Sequence, residues 1–328
     1  MASHSLPRHL NVDAALKLLA SVRDDQDSSV SIDFGNLQYA ESSAALLLAT
    51  ELKTIRKRRP NDFFDAPNSG LEIEAHGYLK HIGFFRHLGL SIGKAPGQAS
   101  GSDAYLPITI VDIRKLRSYW PTVSDRPVGK LVDFEAERLA KILTQSNSIK
   151  IWRPISYCLR EVIRNVFEHA QTHTCAVAAQ RYGGSIEIAI ADTGIGILGS
   201  LGQAFEDLKN DDDALEMALR PGISRISAAE AGDNEWGNSG FGLYVLSELG
   251  RRTGSFALLS GRGYVKLPLP KGAAAVPSEF TGTFLRLEVE KPKGKNFETF
   301  IREIIEEGER KVAISPFPRR ASKSTRSV

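Results

Sequence analysis

Polar and apolar residues alternate through Val30-Ser-Ile32-Asp-Phe34, which predicts a strand running into a turn at Gly35-Asn36. A helix is expected next, capped by Ser42 or Ser43, with Ala45, Leu46, Leu48, Ala49 and Leu52 on its apolar side. The basic stretch at 56–59 and Pro60 close it. Leu71-Glu-Ile73-Glu-Ala75 reads as a second strand, and apolar residues at 78, 79, 82, 85 and 88 predict a helix that stops near Gly89. Strand, helix, strand and helix in that order give the first 92 residues an α/β character. Residues 93–104, rich in Gly, Ala and Ser, read as a linker.

Beyond the linker, residues 105–113 have strand character. Residues 129–144 have helical spacing, with Leu131, Phe134, Leu139 and Ile142 expected to face inward. Two alternating runs, 175–181 and 185–191, flank Gly183-Gly184 and predict a hairpin. Residues 198–239 are long and polar, with little regular pattern outside 211–219. A stretch of that size within a domain is usually functional. The last periodic segment carries Phe297, Phe300, Ile301, Ile304 and Ile305, is expected to end at Gly308, and leads into a basic tail expected to be flexible.

Bulk properties narrow the function classes only a little. Lys plus Arg number 42 against 39 acidic residues, a balance that gives no field suited to nucleic acid. Cys158 and Cys175 have no metal-ligand spacing and fit a reducing compartment. The longest apolar run, residues 44–49, is far too short for a membrane span, so a cytoplasmic protein is expected.

Four blocks carry the chemistry: Glu161-Val-Ile-Arg-Asn165-Val-Phe-Glu-His169-Ala170, Asp192-Thr-Gly194-Ile-Gly196, Gly237-Asn-Ser-Gly240-Phe-Gly242-Leu243, and Gly282-Thr283. Glu161, Asn165 and His169 are spaced i, i+4, i+8 and share one helix face, with Leu159, Val162, Ile163, Val166 and Ala170 as its apolar anchor. Asp192 closes an apolar strand, where a carboxylate can accept an adenine amine while Gly194 and Gly196 let the ring approach the backbone. Glycines 237, 240 and 242 precede a helix starting near Leu243, an arrangement suited to phosphates. Each block has a plainer explanation by itself: a solvated stripe, a turn, a hinge.

In this order and spacing the blocks resemble the N, G1 and G2 boxes and closing Gly-Thr of the GHKL ATP-binding superfamily, over about 145 residues. That resemblance implies a Bergerat α/β sandwich over residues 105–292, with residues 198–239 in the place of the ATP lid and a tail from 293. It implies ATP and Mg²⁺ as ligands, Glu161 as the base acting on the attacking nucleophile, and Asn165 as the Mg²⁺ ligand. His169 and Leu243 belong to the same nucleotide-binding blocks, and Thr283 would share a water with Asp192 and the base. Histidine kinases tend to carry Asn where Glu161 stands and place a phosphoacceptor histidine ahead of the ATP domain. No histidine lies between His87 and His169, and a glutamate at 161 resembles both the ATP-hydrolysing branch and the anti-sigma serine kinases, the first block being most similar to the serine kinase version.

Residues 10–90 resemble the STAS domains of anti-sigma antagonists, with Glu41-Ser42-Ser43-Ala44 standing where that family has Asp-Ser-Ser-Gly. The resemblance makes Ser42 or Ser43 a phosphoacceptor candidate, and the residues alone make either a helix cap. The expected function is an ATP-binding regulatory switch, a protein serine kinase or a partner-gated ATPase. The alternatives are an ATP-sensing binding module without turnover and a clamp that dimerises on ATP. A regulatory protein is the expected partner, and a homodimer is compatible with this reading.

Overall fold

The protein is described by a computed structural model covering residues 2–27, 29–60, 63–70, 73–102, 104–118, 128–144, 148–223, 240–269, 276, 278–290 and 296–313. Residues 224–239, Gly237 among them, and the tail from 314 therefore lie outside the described residues.

The first part opens with β1 (Ala2–Ser5), β2 (His9–Leu10) and α1 (Val12–Asp24). Asn11 caps α1, its side chain accepting from the Ala14 amide at 2.9 Å. Then come β3 (Ser29–Asp33), β4 (Tyr39–Ala40), α2 (Ser42–Arg58), β5 (Phe63–Asp65), α3 (Glu74–Ile82) and α4 (Phe84–Leu88). β1, β3 and β5 form a parallel sheet in the order β1-β3-β5, and β2 pairs with β4.

The predicted strand at 71–75 is corrected, because Glu74 and Ala75 begin α3. The third strand is instead β5, too short and too close to Pro60 to show an alternation. The helix expected at 78–90 is two helices. Gly83, with φ +89°, breaks the run in a left-handed conformation that only glycine adopts cheaply. Between residues 93 and 102 the chain has no regular element but is pinned: the Lys94 amide donates to Lys80 O at 2.9 Å and the Gly97 amide to Ile108 O at 2.8 Å.

The second part contains β6 (Tyr105–Asp112), α5 (Ile113–Ser118), α6 (Val128–Thr144), α7 (Ile149–His169), β7 (Thr174–Tyr182) and β8 (Ser185–Asp192). It continues through α8 (Gly196–Leu201), α9 (Asp211–Ala218), α10 (Gly242–Thr253), β9 (Gly254–Gly261), β10 (Gly263–Leu267), β11 (Phe280–Glu290) and α11 (Phe297–Ala313). Six strands form one antiparallel sheet in the order β10-β9-β11-β8-β7-β6. The fold is mixed α/β, with parallel and antiparallel sheets.

Both faces of the large sheet are buried, and the period of two along each strand sorts its residues by face. Val177, Ile188, Ile190, Leu285 and Leu287 face α6, α7, α10 and α11. Ala176, Ala178, Ala189 and Ala191 face the other way, into a core shared with the first part of the chain. Those alanines form a shallow floor across β7 and β8 on which α2 lies. Leu46, Leu47 and Leu48 of α2 are fully buried there, together with Phe284 of β11.

Two details of the expected helices change. Phe134 is 44% exposed, because α6 turns Val132, Ala136, Leu139, Ala140 and Leu143 inward and Phe134 falls off that stripe. α11 runs through Gly308 to Ala313, since Gly308 is a packing contact and not a stop. A Cβ there would lie 2.6 Å from the Tyr244 ring on α10.

Candidate functional site

α7 presents Asn165 and His169 to a cavity of about 90 Å³ at one end of the large sheet. Val162 and Val166 from the same helix, Ile190, Leu258 and Leu285 from the sheet, and Leu201 from α8 line its apolar part. Asp192, Gly196, Gly240, Gly242, Leu243 and Thr283 complete it. Residues drawn from all four sequence blocks thus meet at one place, although 121 positions separate Val162 from Thr283 along the chain. Ligand sites usually start at roughly 300 Å³, so the enclosed part takes a ring-sized group and leaves any larger remainder outside.

Among the described residues Asp192 is the only acid lining this cavity. It ends β8 and pairs in register with Thr283 of β11. Its Oδ1 accepts from the Gly194 amide at 2.8 Å, and its exposure is 3%. Burial lifts the Asp192 carboxyl to about 7, while hydrogen bonds from the Gly194 and Thr283 backbones pull in the opposite direction. A carboxyl balanced at that value changes charge state with small changes in its surroundings.

Glycine is required around this acid for close approach. A Cβ on Gly194 would lie 2.0 Å from Ala170 O, where α7 ends. Gly282 adopts φ +93°, and a Cβ there would lie 2.3 Å from Asp192 O. Ser260, buried on β9, ties the two loops together: its Oγ accepts from the Ile197 amide at 2.8 Å and donates to Gly282 O at 2.9 Å. Nothing in the sequence singles out Ser260, which reads there as one more polar residue at a strand end.

Asn165 contributes an amide whose Nδ2 is buried with no hydrogen-bond partner among the described residues. An orphaned polar group of this kind costs about 1–3 kcal/mol, which a ligand at the cavity would recover. Gly240, with φ +72°, packs on the backbone of Ile223, and α10 starts at Gly242.

Glu161 is placed differently from its expected partners. It lies one turn before Asn165 but is not part of the cavity wall. Its Oε1 accepts from Arg160 Nη2 at 2.8 Å and Nε at 3.1 Å, and its exposure is 3%. A Cβ on Gly242 would lie 2.6 Å from its Oε2, so the glycine at the start of α10 is what admits this carboxylate.

Ser42 and Ser43 are buried in the first turn of α2, at 1% and 0% exposure. Neither is the cap: Glu41 holds that position without a side-chain cap hydrogen bond. The Ser43 amide donates instead to Glu187 of β8 at 3.0 Å. His87 is buried against Thr50 Oγ1 at 3.0 Å, and burial pushes its imidazole down to about 3, which keeps it neutral.

Among the described residues no helix is long and apolar enough to cross a membrane, and no cluster of three His, Cys, Asp or Glu side chains could hold a metal ion. No family model, curated protein or solved structure matches the chain.

Proposed function

We propose that the protein binds Mg-ATP at this cavity as a regulatory switch, on a fold of GHKL type carrying a STAS-like N-terminal module. The observation that carries the reading is the convergence of Asp192 and Thr283 at the floor of the cavity, with Asn165 and His169 on its wall and Gly240 and Gly242 at the start of α10. A buried carboxylate surrounded by apolar side chains suits a flat heterocycle with an amine donor. The orphaned Asn165 Nδ2 suits an anionic oxygen acceptor such as a phosphate. The side-chain oxygen of the same amide would be the ligand for a hard cation that keeps most of its ligands as phosphate and water oxygens. Bound there, Mg²⁺ would supply charge neutralisation for the phosphates.

In this reading Asp192 accepts the adenine amine, and its backbone partners hold it in place. The amides at the start of α10 and glycines 240 and 242 leave room for the phosphates. Glu161 is the base that takes a proton from the attacking hydroxyl, of water or of a substrate serine, once its pairing with Arg160 is released. A regulatory protein is the partner that would read the occupied state.

A second reading, ATP sensing without turnover, is favoured by that same pairing. A carboxylate already accepting two charge-assisted hydrogen bonds from Arg160 is a poor base. Incubation with γ-labelled ATP, followed by separation of free phosphate from labelled protein, distinguishes the two. Free phosphate or labelled partner supports catalysis, and bound but intact ATP supports the sensor. Absence of ATP binding in a calorimeter overturns both.

A further inference from the structure

Glu279 and the first residues of β11 approach the cavity as an irregular stretch, with a register shift between Phe280 and Thr283. The irregularity is in the pairing with β9 and lies just before Thr283, which pairs with Asp192 of β8, and it is held from outside the large sheet. Glu51 of α2, fully buried, accepts from the Thr281 amide at 3.0 Å and from Thr281 Oγ1 at 3.3 Å. Arg23 of α1 pairs with Glu51 at 3.0 Å and also donates to Glu279 O. Arg58, at the end of α2, donates to Thr281 Oγ1 at 3.0 Å. Three residues of the N-terminal module therefore hold the two positions that flank Phe280.

A buried carboxylate with an arginine and a backbone amide as partners is costly to place unless its geometry is satisfied. Here that cost falls on an amide two residues from Thr283. The chain of contacts is unbroken: Arg23 to Glu51, Glu51 to Thr281, then through Gly282 to Thr283 and its register partner Asp192. Gly282 lacks a side chain and takes a positive φ, so the bonds on either side of it help to fix this bend. Ser260 donates to Gly282 O on one side, and Glu51 and Arg58 hold Thr281 on the other.

We infer that Glu51 is a positioning residue for Asp192, which makes recognition of the base conditional on the seating of the N-terminal module. The inference rests on the reading of Asp192 as the adenine acceptor. It assigns the module a task that its fold alone does not suggest. α2 serves as the outer support of the base-binding end of the sheet, and anything that lifts α2 loosens the grip on adenine before it touches the phosphates. A change at Glu51 should thus be felt by the purine amine and not by the triphosphate.

The test compares ATP with inosine triphosphate, which carries an oxo group in place of the amine, by calorimetry on the full chain with Mg²⁺. Wild type should prefer ATP by tenfold or more, and Asp192→Asn should remove the preference. Glu51→Ala should cut the preference to threefold or less while leaving inosine triphosphate affinity unchanged. Glu51→Gln, which keeps an acceptor for the Thr281 amide, should restore most of it. If Glu51→Ala fails to fold, Thr281→Val removes the hydroxyl contacts alone and should lower the preference about threefold. Full ATP preference in the Glu51 or Thr281 variant, alongside its loss in Asp192→Asn, overturns the inference and leaves the nucleotide reading standing. Equal loss in Glu51→Ala and Glu51→Gln also overturns it, since the positioned acceptor would then not matter. No preference in wild type overturns the adenine assignment itself.

Discussion

The Ser43 amide donates to Glu187 Oε1 at 3.0 Å, so a helix of the N-terminal module is capped by a strand 144 residues further on. The first N–H groups of a helix have no partner within it, and a side chain normally supplies one from the cap position. Here the acceptor belongs to the large sheet. The other Glu187 oxygen accepts from Arg286 Nε at 2.7 Å, and Arg286 also donates to Ser255 at 2.6 Å and Glu288 at 3.1 Å. The Tyr78 hydroxyl reaches Gln180 at 2.6 Å nearby. The interface between the two parts is thus a buried polar network surrounded by apolar contacts.

Glu187→Ala removes the acceptor of the Ser43 amide and leaves Arg286 short of a buried partner. Breaking a buried pair costs about 3–5 kcal/mol. A thermal unfolding curve should show a fall in Tm of many degrees, and a shift of only a degree or two would place the network on the periphery.

Removing residues 1–100 uncovers Ala176, Ala178, Ala189, Ala191 and Phe284 on the face that α2 covers. An exposed apolar patch of that kind drives association. The fragment should be recovered aggregated or should bind a hydrophobic dye strongly. A monodisperse monomer on size-exclusion chromatography would contradict this.

Asp192→Asn should weaken Mg-ATP binding about tenfold or more, since a hydrogen bond to a charged group is worth about 1.5–3 kcal/mol. Calorimetry at pH 8, where the wild-type carboxyl is ionised, reads the difference directly. Unchanged affinity would remove Asp192 from base recognition.

The raised Asp192 value carries a pH signature. The folded protein holds this proton up to about 7, whereas the unfolded chain releases it near 3.8. Stability from this group is therefore present below the unfolded value and is lost as pH rises through 7. ATP affinity should move the opposite way, rising from pH 6 and levelling off above 7, because the amine needs the ionised acceptor. Asp192→Asn should flatten both dependences, which separates them from the titration of the phosphates.

Glu161→Ala should keep nucleotide affinity within about threefold and abolish turnover, since a general base acts in the transition state and contributes roughly 10²–10⁴-fold. Asn165→Ala should instead weaken binding in a Mg²⁺-dependent way. Single-turnover assays with matched binding curves check both. Wild type and Glu161→Ala showing the same rate of phosphate release would favour the sensor.

Strand and helix character in the second part, the hairpin with its two-residue loop at Gly183-Gly184, and the shared face of Asn165 and His169 were legible in the sequence. They depend on short-range periodicity, and the period of each run survives into the fold. The glycine blocks were legible for the same local reason: close approach and positive φ leave few other residues in place. What the sequence could not provide was any relation spanning more than a turn or two. α1 was not anticipated, although Asn11 caps it, and β5 was too short to register.

Local pattern made Ser42 or Ser43 a helix cap, and it left Glu51 and Ser260 without any distinction. The tertiary structure buries all four, because α2 settles on a floor of alanines whose small size is visible only once β7 and β8 are paired. Pairing β8 with β11 in one register sets Asp192 opposite Thr283, and the slip at 281–282 leaves an amide for Glu51 to accept. Sequence alone determined which residues bring donors, acceptors and glycines to the cavity, since that chemistry is carried by side-chain type and local spacing. Only the packing of α2 on the sheet decided which other residues hold that site in shape, since a contact between distant segments has no local signal.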